Sequence, residues 1–242
     1  PSGISDKEIR WYLDKAAAAN INLLRVWGGG AYMPDSFYRR CDELGIMVWQ
    51  DFMFAHANYP SESKEFWSSV QAEVKAQVKR LRNHPSLVVW CGNDSVEHAQ
   101  SQRGEEFDRN KHNRLFYRLI PHVLDAYDPK RPYRRSAPFG GDEPNAESRG
   151  DHYAHRVWDE WQSPDSYRDM RARFVSWFGF QALPDEETIA SFTASRDKTL
   201  NHEDFEAHQL QEDGNARLFR HIISRVRPPE TFEELIYLSQ WM

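Results

Sequence analysis

The sequence has few cysteines, no long apolar run and no excess of positive charge. Its two cysteines among 242 residues, Cys41 and Cys91, are too few for a disulfide scaffold or a thiolate zinc site. No apolar stretch approaches the roughly 20 residues that span a bilayer, and the first residues lack the pattern of a signal peptide. The net charge of −6 disfavours a polyanionic partner. We therefore expect a soluble globular protein that binds neither membranes nor nucleic acid.

Short apolar runs alternate with amphipathic stretches, which is the pattern of repeated βα units. Strands are predicted at 22–27, 46–51, 86–91, 133–136, 151–157 and 174–178. Helices are predicted at 33–44, 65–82, 113–127, 201–225 and 232–241. The first three strands are nearly continuous in apolar residues, as expected for a sheet that is covered on both faces. The pattern predicts an α/β fold of the (β/α)8 TIM-barrel type in which only about six strands are visible.

Several motifs follow one another in the order found in the catalytic barrel of one enzyme family. They lie at residues 24–32, 48–55, 82–93, 131–133, 140–142, 150–151, 173–184 and 213–217. Over essentially the whole chain they resemble the β-mannosidase branch of glycoside hydrolase family 2. The resemblance implies one barrel domain over residues 1–242 without its first and eighth strands, and without the family's flanking β-sandwich domains. We expect a carbohydrate or another small molecule as the ligand, and no cofactor.

Both catalytic positions of that family are substituted here. On the resemblance, the acid/base glutamate falls at Ser95 and the nucleophilic glutamate falls at Trp177. A retaining glycosidase needs two carboxyl groups about 5 to 5.5 Å apart, one to attack the sugar and one to protonate the leaving oxygen. Neither a serine nor a tryptophan supplies a carboxyl group. We therefore predict glycosidase ancestry with an altered or engineered pocket and without the native activity.

Further departures from the family pattern fall at the same predicted barrel mouth. Asp94 replaces a substrate-binding asparagine, Tyr153 a histidine and His155 a sugar-facing tryptophan, and His56 stands where a small residue is usual. This concentration of changes suggests a pocket that has been rebuilt for another use. The residues expected to form the remaining substrate-binding wall are Arg25, Trp27, Asp51, Asn93, Tyr153 and Trp158.

Glu97, two residues past Ser95, is the first candidate to replace the missing acid/base. If the strand stayed extended, Glu97 would lie about 6 to 7 Å beyond Ser95, which is too far to protonate the same glycosidic oxygen. We therefore interpret Glu97 as a solvated acid at the start of the next helix. Asp94 would then be the only nearby carboxylate for an inverting scheme, which needs two.

Other uses of the pocket stay open at the level of sequence. Ser95, His155, His56 and Asp94 could serve ester hydrolysis or proton abstraction, with Trp177 stacking on an aromatic substrate. A second alternative is a binding module that holds a sugar without turnover. A third is a zinc site, for which the weak candidates are His56, His98, His152 and His155. Missing first and eighth strands would leave two sheet edges unpaired, which suggests a homodimer.

Overall fold

A computed structural model describes residues 3–105, 113–179, 181–193 and 203–242 of the protein. Its helices are α1 (Asp6–Ala18), α2 (Asp35–Leu44), α3 (Lys64–Leu81), α4 (Val96–Gln102), α5 (Ile120–Tyr127), α6 (Arg156–Asp159), α7 (Glu186–Phe192), α8 (Glu203–Ala207), α9 (Gly214–Ile223) and α10 (Phe232–Trp241). Its strands are β1 (Leu23–Val26), β2 (Met47–Asp51), β3 (Leu87–Cys91), β4 (Tyr133–Arg134), β5 (His152–Tyr153) and β6 (Val175–Trp177). A π-helical turn, Leu115–Leu119, precedes α5, and a 3₁₀ helix covers Pro164–Arg168.

The chain divides into two compact units. The first comprises Pro1–Tyr153 with Arg171–Ser176, and the second comprises Ala154–Met170 with Trp177–Met242. In the first unit, β1 to β4 form a parallel sheet in sequence order. The strands β5 and β6 form a separate two-stranded pair. The described residues therefore give an α/β fold with a parallel sheet, whereas closure of a single-domain barrel stays a prediction.

Parallel pairing in the first unit continues beyond the carboxyl ends of the strands. Isolated bridges join Asp94 to Ala55 on one side and to Ala137 on the other. The loops that follow β2, β3 and β4 are thereby held in one row. Residues at these positions lie at the same edge of the sheet, where parallel α/β proteins carry their binding sites.

The helix α3 shows why the first unit packs as it does. Its apolar residues recur at helical spacing, and Val70, Val74, Val78 and Leu81 are all buried. Ser63 caps the amino end by accepting a hydrogen bond from the backbone of Phe66, which satisfies one of the unpaired amide groups there. Burial of each valine contributes about 1.5 to 3 kcal/mol relative to exposure. The polar face of the helix stays in solvent.

The second unit is built mainly from α7, α9 and α10. Its buried apolar cluster consists of Trp158, Leu183, Ile189, Phe205, Leu218, Ile222, Leu235 and Ile236. Asp185 caps α7 and Thr231 caps α10, each by accepting a hydrogen bond from a backbone amide in the first turn. Among the described residues, no helix has both the length and the apolar character needed to cross a bilayer.

The predicted elements agree best with the structure in the first unit, where all four sheet strands fall within their predicted ranges. The strand predicted at 151–157 is wrong after Tyr153, because α6 begins at Arg156. The helix predicted at 201–225 is two helices, since Asp213 adopts a left-handed backbone at φ 57° just before α9; residues 201 and 202 lie outside the described residues. The helices α1 and α7 were not predicted.

Candidate functional site

Asp94 occupies the centre of the row at the carboxyl edge of the sheet. Its backbone N–H donates to the Phe54 carbonyl at 2.9 Å, and its carbonyl accepts from the His56 N–H at 3.0 Å. The next residue, Ser95, donates its N–H to the Ala137 carbonyl at 2.6 Å. Asp94 and Ser95 are therefore held by the neighbouring loops on both sides, which fixes the direction of the Asp94 side chain.

The Arg25 guanidinium and the Asp51 carboxylate form the buried base of this site. Arg25 donates from Nε at 3.1 Å and from Nη2 at 2.8 Å to Asp51 Oδ2. The carboxylate also accepts the Gly28 N–H at 3.0 Å and the Trp49 indole N–H at 2.8 Å. The Asp51 side chain is 0% exposed. Its oxygens are used by the protein itself, so Asp51 holds Arg25 in place rather than facing a ligand.

Burial and the attraction between the two charges shift the pKa values of Arg25 and Asp51 in opposite directions. Burial raises the pKa of Asp51, and the attraction of Arg25 opposes that effect without cancelling it. Burial is the largest influence on Arg25 and lowers its pKa, but the charge and hydrogen bond of Asp51, together with Tyr153 and Cys91, outweigh it and keep the guanidinium pKa raised. Arg25 is therefore a fixed positive charge beneath the row of loops.

The carboxylate of Asp94 links Arg25, Tyr153 and His56. Its Oδ1 accepts from Arg25 Nη2 at 3.2 Å and forms a short hydrogen bond with the Tyr153 hydroxyl. That hydroxyl also accepts from Arg25 Nη1 at 2.6 Å. The other oxygen, Oδ2, lies 3.2 Å from His56 Nε2. Burial raises the pKa of the Tyr153 hydroxyl, and the nearby Asp94 adds to this while Arg25 opposes it.

His56 is the solvent-facing member of this group. Its side chain is 61% exposed, whereas that of Asp94 is 2% exposed. His56 also has a left-handed backbone at φ 54°, which is uncommon for a residue with a side chain. An exposed imidazole oriented by a buried carboxylate is an arrangement that can take up a proton.

Ser95 and Glu97 lie at the start of α4, and both side chains are buried. Ser95 is buried, has a left-handed backbone at φ 56° and does not cap α4 with its side chain. Within the described ranges, no hydrogen bond joins its hydroxyl to His56. Glu97 stands in the first turn of α4, as expected, but it is 1% exposed. The interpretation of Glu97 as a solvated acid is therefore wrong.

Asn93 supports the loop between β3 and α4. Its Oδ1 accepts from the Val96 N–H at 3.1 Å and from the Ser136 hydroxyl at 2.8 Å. Its amide nitrogen donates to the Arg135 carbonyl at 3.0 Å. The side chain is fully buried, so these contacts give Asn93 a structural role, and its contact with a sugar stays a prediction.

Trp27 presents an exposed aromatic surface at the end of β1. It is 40% exposed, and a Cβ atom at Gly29 would lie 2.3 Å from the nearest atom of the indole. Gly29 therefore leaves room for the ring to lie against the backbone. A Cβ atom at Gly28 would lie 2.5 Å from the Phe54 carbonyl oxygen. The two glycines allow both the ring and the neighbouring loop to come close.

Asp151 belongs to the same unit and was not among the predicted site residues. Its carboxylate accepts from the Ser176 hydroxyl at 2.5 Å and from the Phe139 N–H at 3.2 Å. Burial raises the pKa of Asp151, with Ser176 and Arg25 opposing the shift. Its position after Gly150, in a motif already singled out, was the signal that could have identified it. Trp49, whose indole N–H donates to Asp51, was also not among the predicted site residues.

Three predicted site residues lie in the second unit. The His155 ring is 6.1 Å from the Trp177 ring, measured between centroids, and Trp177 is 45% exposed. Trp158 is buried and stacks on His221 at 6.0 Å. The structure thus brings His155 close to Trp177 in this unit, and His56 close to Asp94 in the first.

The four histidines named as weak zinc candidates are not joined in a metal cluster. In the ranges that the structure describes, no group of three or more His, Cys, Asp and Glu side chains is placed to hold a metal ion. His152 is buried and its Nδ1 lies 2.9 Å from the Asn145 carbonyl. His98 is half-buried on α4.

A parallel sheet with a cluster of charged and aromatic side chains at its carboxyl edge defines an α/β protein with a candidate site at that edge. The β-mannosidase B of Aspergillus niger is 34% identical over 98% of this chain and 30% of its own length. The β-mannosidase of Mus musculus is 34% identical over 99% of this chain and 30% of its own. The β-D-mannosidase structure from Dictyoglomus thermophilum matches with a TM-score of 0.93 at 41% identity, over 98% of this chain and 30% of its own.

The chain therefore has the β-mannosidase-type fold of glycoside hydrolase family 2 over nearly its whole length. No protein-family model matches it. The chain spans about 30% of the length of the relatives named above.

Proposed function

We propose that this chain is a glycoside hydrolase scaffold that binds a saccharide without cleaving it by the retaining mechanism. The proposal rests on the surroundings of Ser95. On the family resemblance, this residue stands at the position of the acid/base glutamate. The residue there is a buried serine on a left-handed backbone. At the other catalytic position, Trp177 offers an indole, which cannot attack an anomeric carbon.

The nearby carboxylates do not compensate for these two substitutions. The oxygens of Asp94 already contact Arg25, Tyr153 and His56, so they are not available to position a water molecule. Glu97 is buried within the first turn of α4. A retaining scheme needs two carboxyl groups about 5 to 5.5 Å apart at the substrate, and an inverting scheme needs two about 6.5 to 9.5 Å apart with water between them. We infer that neither pair forms.

Saccharide binding is supported by what the first unit still offers at the edge of the sheet. Trp27 presents part of an indole to solvent, and aromatic faces pack well against the C–H groups of sugar rings. His56, in the loop after β2, adds an exposed imidazole that can donate or accept a hydrogen bond. The relatives named above are β-mannosidases, so a β-mannoside is the first ligand to test.

The experiment measures turnover and binding on the same preparation. We expect the release of nitrophenol from an aryl β-mannoside to equal that of buffer, and we expect a β-mannoside to bind in calorimetry. Trp27→Ala should weaken this binding, whereas Trp11→Ala, at an exposed tryptophan on α1, should not. Hydrolysis that disappears in Glu97→Gln would contradict the proposal, and so would the absence of any saccharide binding.

A second candidate function rests on the contact between His56 and Asp94. The 3.2 Å separation of His56 Nε2 from Asp94 Oδ2 supports a general base that abstracts a proton from an activated substrate. Such a base typically contributes about 10²- to 10⁴-fold to a rate. The rate of activated ester hydrolysis should then fall in His56→Asn and stay unchanged in the control variant His122→Asn, at an exposed histidine on α5. A burst that disappears in Ser95→Ala would instead indicate a serine nucleophile.

A further inference from the structure

Trp161, in the second unit, is an exposed tryptophan with an unusual environment. It is 41% exposed and has a left-handed backbone at φ 59°, which is a rare conformation for a bulky residue. Its ring stacks on His221 at 5.6 Å with an interplanar angle of 18°. His221 stacks in turn on the buried Trp158. The stack holds the Trp161 indole at the surface in a defined orientation.

Two arginines of α9 lie against this indole. The Arg217 guanidinium is 4.7 Å from the centroid of the Trp161 ring, and that of Arg220 is 4.9 Å from it. Both distances lie within the range of favourable cation–π contacts. Arg217 is fixed further, because its Nη1 donates to the carbonyl of Trp158 at 2.7 Å and to that of Asp159 at 3.0 Å. Two guanidinium groups are thus gathered beside one exposed ring.

Arg217 and Arg220 differ from neighbouring arginines in how their charges are paired. Across the described part of the chain, neither forms an ion pair with a carboxylate, and the side chain of Arg220 makes no hydrogen bond. Nearby arginines are paired, as the bridges Arg156–Glu160 at 2.9 Å and Arg225–Asp165 at 2.8 Å show. Among the residues that the structure describes, the Nε atom of Arg217 is buried and has no hydrogen-bond partner. In a chain of net charge −6, this is a local excess of positive charge.

His221 responds to that excess. Burial lowers the pKa of its imidazole, and the charges of Arg217 and Arg225 lower it further. The ring between the two tryptophans is therefore held in its neutral form around pH 7, so it does not add a third positive charge. A ligand that carried a negative charge to this place would be attracted by the two guanidinium groups.

We propose that Trp161, Arg217 and Arg220 form a binding site for an acidic saccharide of the uronate class. The guanidinium fork matches a carboxylate in geometry and charge, and the indole offers the apolar surface that packs on a pyranose ring. The β-mannosidase-type fold favours a sugar as the carrier of that carboxylate. The proposal concerns residues of the second unit and does not depend on whether a β-mannoside binds.

The test compares four probes in calorimetry with the whole chain: methyl β-D-glucuronide, methyl β-D-glucoside, acetate and inorganic sulfate. We expect the glucuronide to bind more tightly than the other three, and we expect its affinity to fall as salt is added, because exposed charges are screened. Binding of acetate or sulfate as tight as that of the glucuronide would overturn the saccharide assignment. No binding of the glucuronide at millimolar concentration would overturn the site.

Variants of Arg220 give the sharpest control, because its exposed side chain makes no hydrogen bond within the described residues. Arg220→Gln should weaken glucuronide binding by about tenfold or more, the effect of one charge-assisted contact, and Arg220→Lys should restore part of it. Arg227→Gln removes the same charge from an arginine already paired with Glu234 at 2.6 Å, and it should leave the affinity unchanged. Equal losses in Arg220→Gln and Arg227→Gln would show a nonspecific charge effect and overturn the proposal.

Discussion

His56 Nε2 lies 3.2 Å from Asp94 Oδ2, while the other oxygen of that carboxylate contacts Arg25 and Tyr153. One buried carboxylate therefore joins an exposed imidazole to a buried guanidinium. A retaining glycosidase uses carboxyl groups at this edge of its sheet to contact the sugar. Here the Asp94 carboxylate interacts with groups of the protein itself, and the His56 imidazole is the group that faces solvent.

Removal of the Tyr153 hydroxyl should destabilise the first unit. In Tyr153→Phe, Arg25 Nη1 loses the acceptor that it contacts at 2.6 Å, and a buried donor without a partner costs about 1 to 3 kcal/mol. We expect the free energy of unfolding in urea to fall by that amount. Tyr12→Phe, at a tyrosine that is 59% exposed, serves as the control and should have no effect. An unchanged value for Tyr153→Phe would mean that water replaces the hydroxyl.

The ion pair between Arg25 and Asp51 should be far more important for stability than a surface pair. Asp51→Asn leaves a largely buried guanidinium without its main counter-charge, and breaking a buried pair in this way costs about 3 to 5 kcal/mol. The pair between Arg40 and Asp14 is matched in chemistry, but the Asp14 side chain is 48% exposed. Exposed pairs contribute about 0 to 1 kcal/mol, so Asp14→Asn is the control. Urea unfolding of both variants measures the difference. Similar losses in the free energy of unfolding would contradict the prediction.

The sequence predicted the sheet well because its first three strands are short, nearly continuous apolar runs with clear boundaries. The family resemblance implied that Arg25, Asp51 and Asp94 line one barrel mouth, and the structure brings these three side chains into contact, whereas their role in binding stays a prediction. It did not show that Asp51 is enclosed by hydrogen bonds from Trp49 and Gly28. Such contacts depend on side-chain direction, which strand periodicity alone does not give.

Local backbone geometry explains most of the remaining differences. The expectation for Glu97 assumed an extended strand past Ser95, whereas Ser95 is left-handed and starts α4, and Glu97 is buried. The patch around Trp161 was not predicted at all, because its members come from a loop and from one helix of the second unit. No spacing rule connects a residue at position 161 with two arginines more than 50 positions later.

The stability of the second unit should depend on the protonation of His221. Its pKa is lowered in the folded state, first by burial and then by Arg217 and Arg225, so the unfolded chain binds a proton more readily. Stability should therefore fall as pH drops below the unfolded pKa of about 6.5, and the loss should be complete below the lowered folded pKa. Urea unfolding from pH 8 to pH 5 measures this. His221→Gln should flatten the profile, while the exposed control His122→Gln should keep its slope.

Restoring both catalytic glutamates separates the effect of the substitutions from the effect of having only part of the relatives' length. The variant that combines Ser95→Glu with Trp177→Glu should return at most partial hydrolysis of an aryl β-mannoside. Two reasons limit the gain: Tyr153 and His155 still occupy positions that differ from the family pattern, and Ser95 is buried with φ at 56°, where a larger side chain is strained. Each single variant should stay inactive, since one carboxyl group cannot perform both steps. Activity in Trp177→Glu alone would show that Asp94 or Glu97 already serves as the acid/base, which would overturn the proposed loss of mechanism.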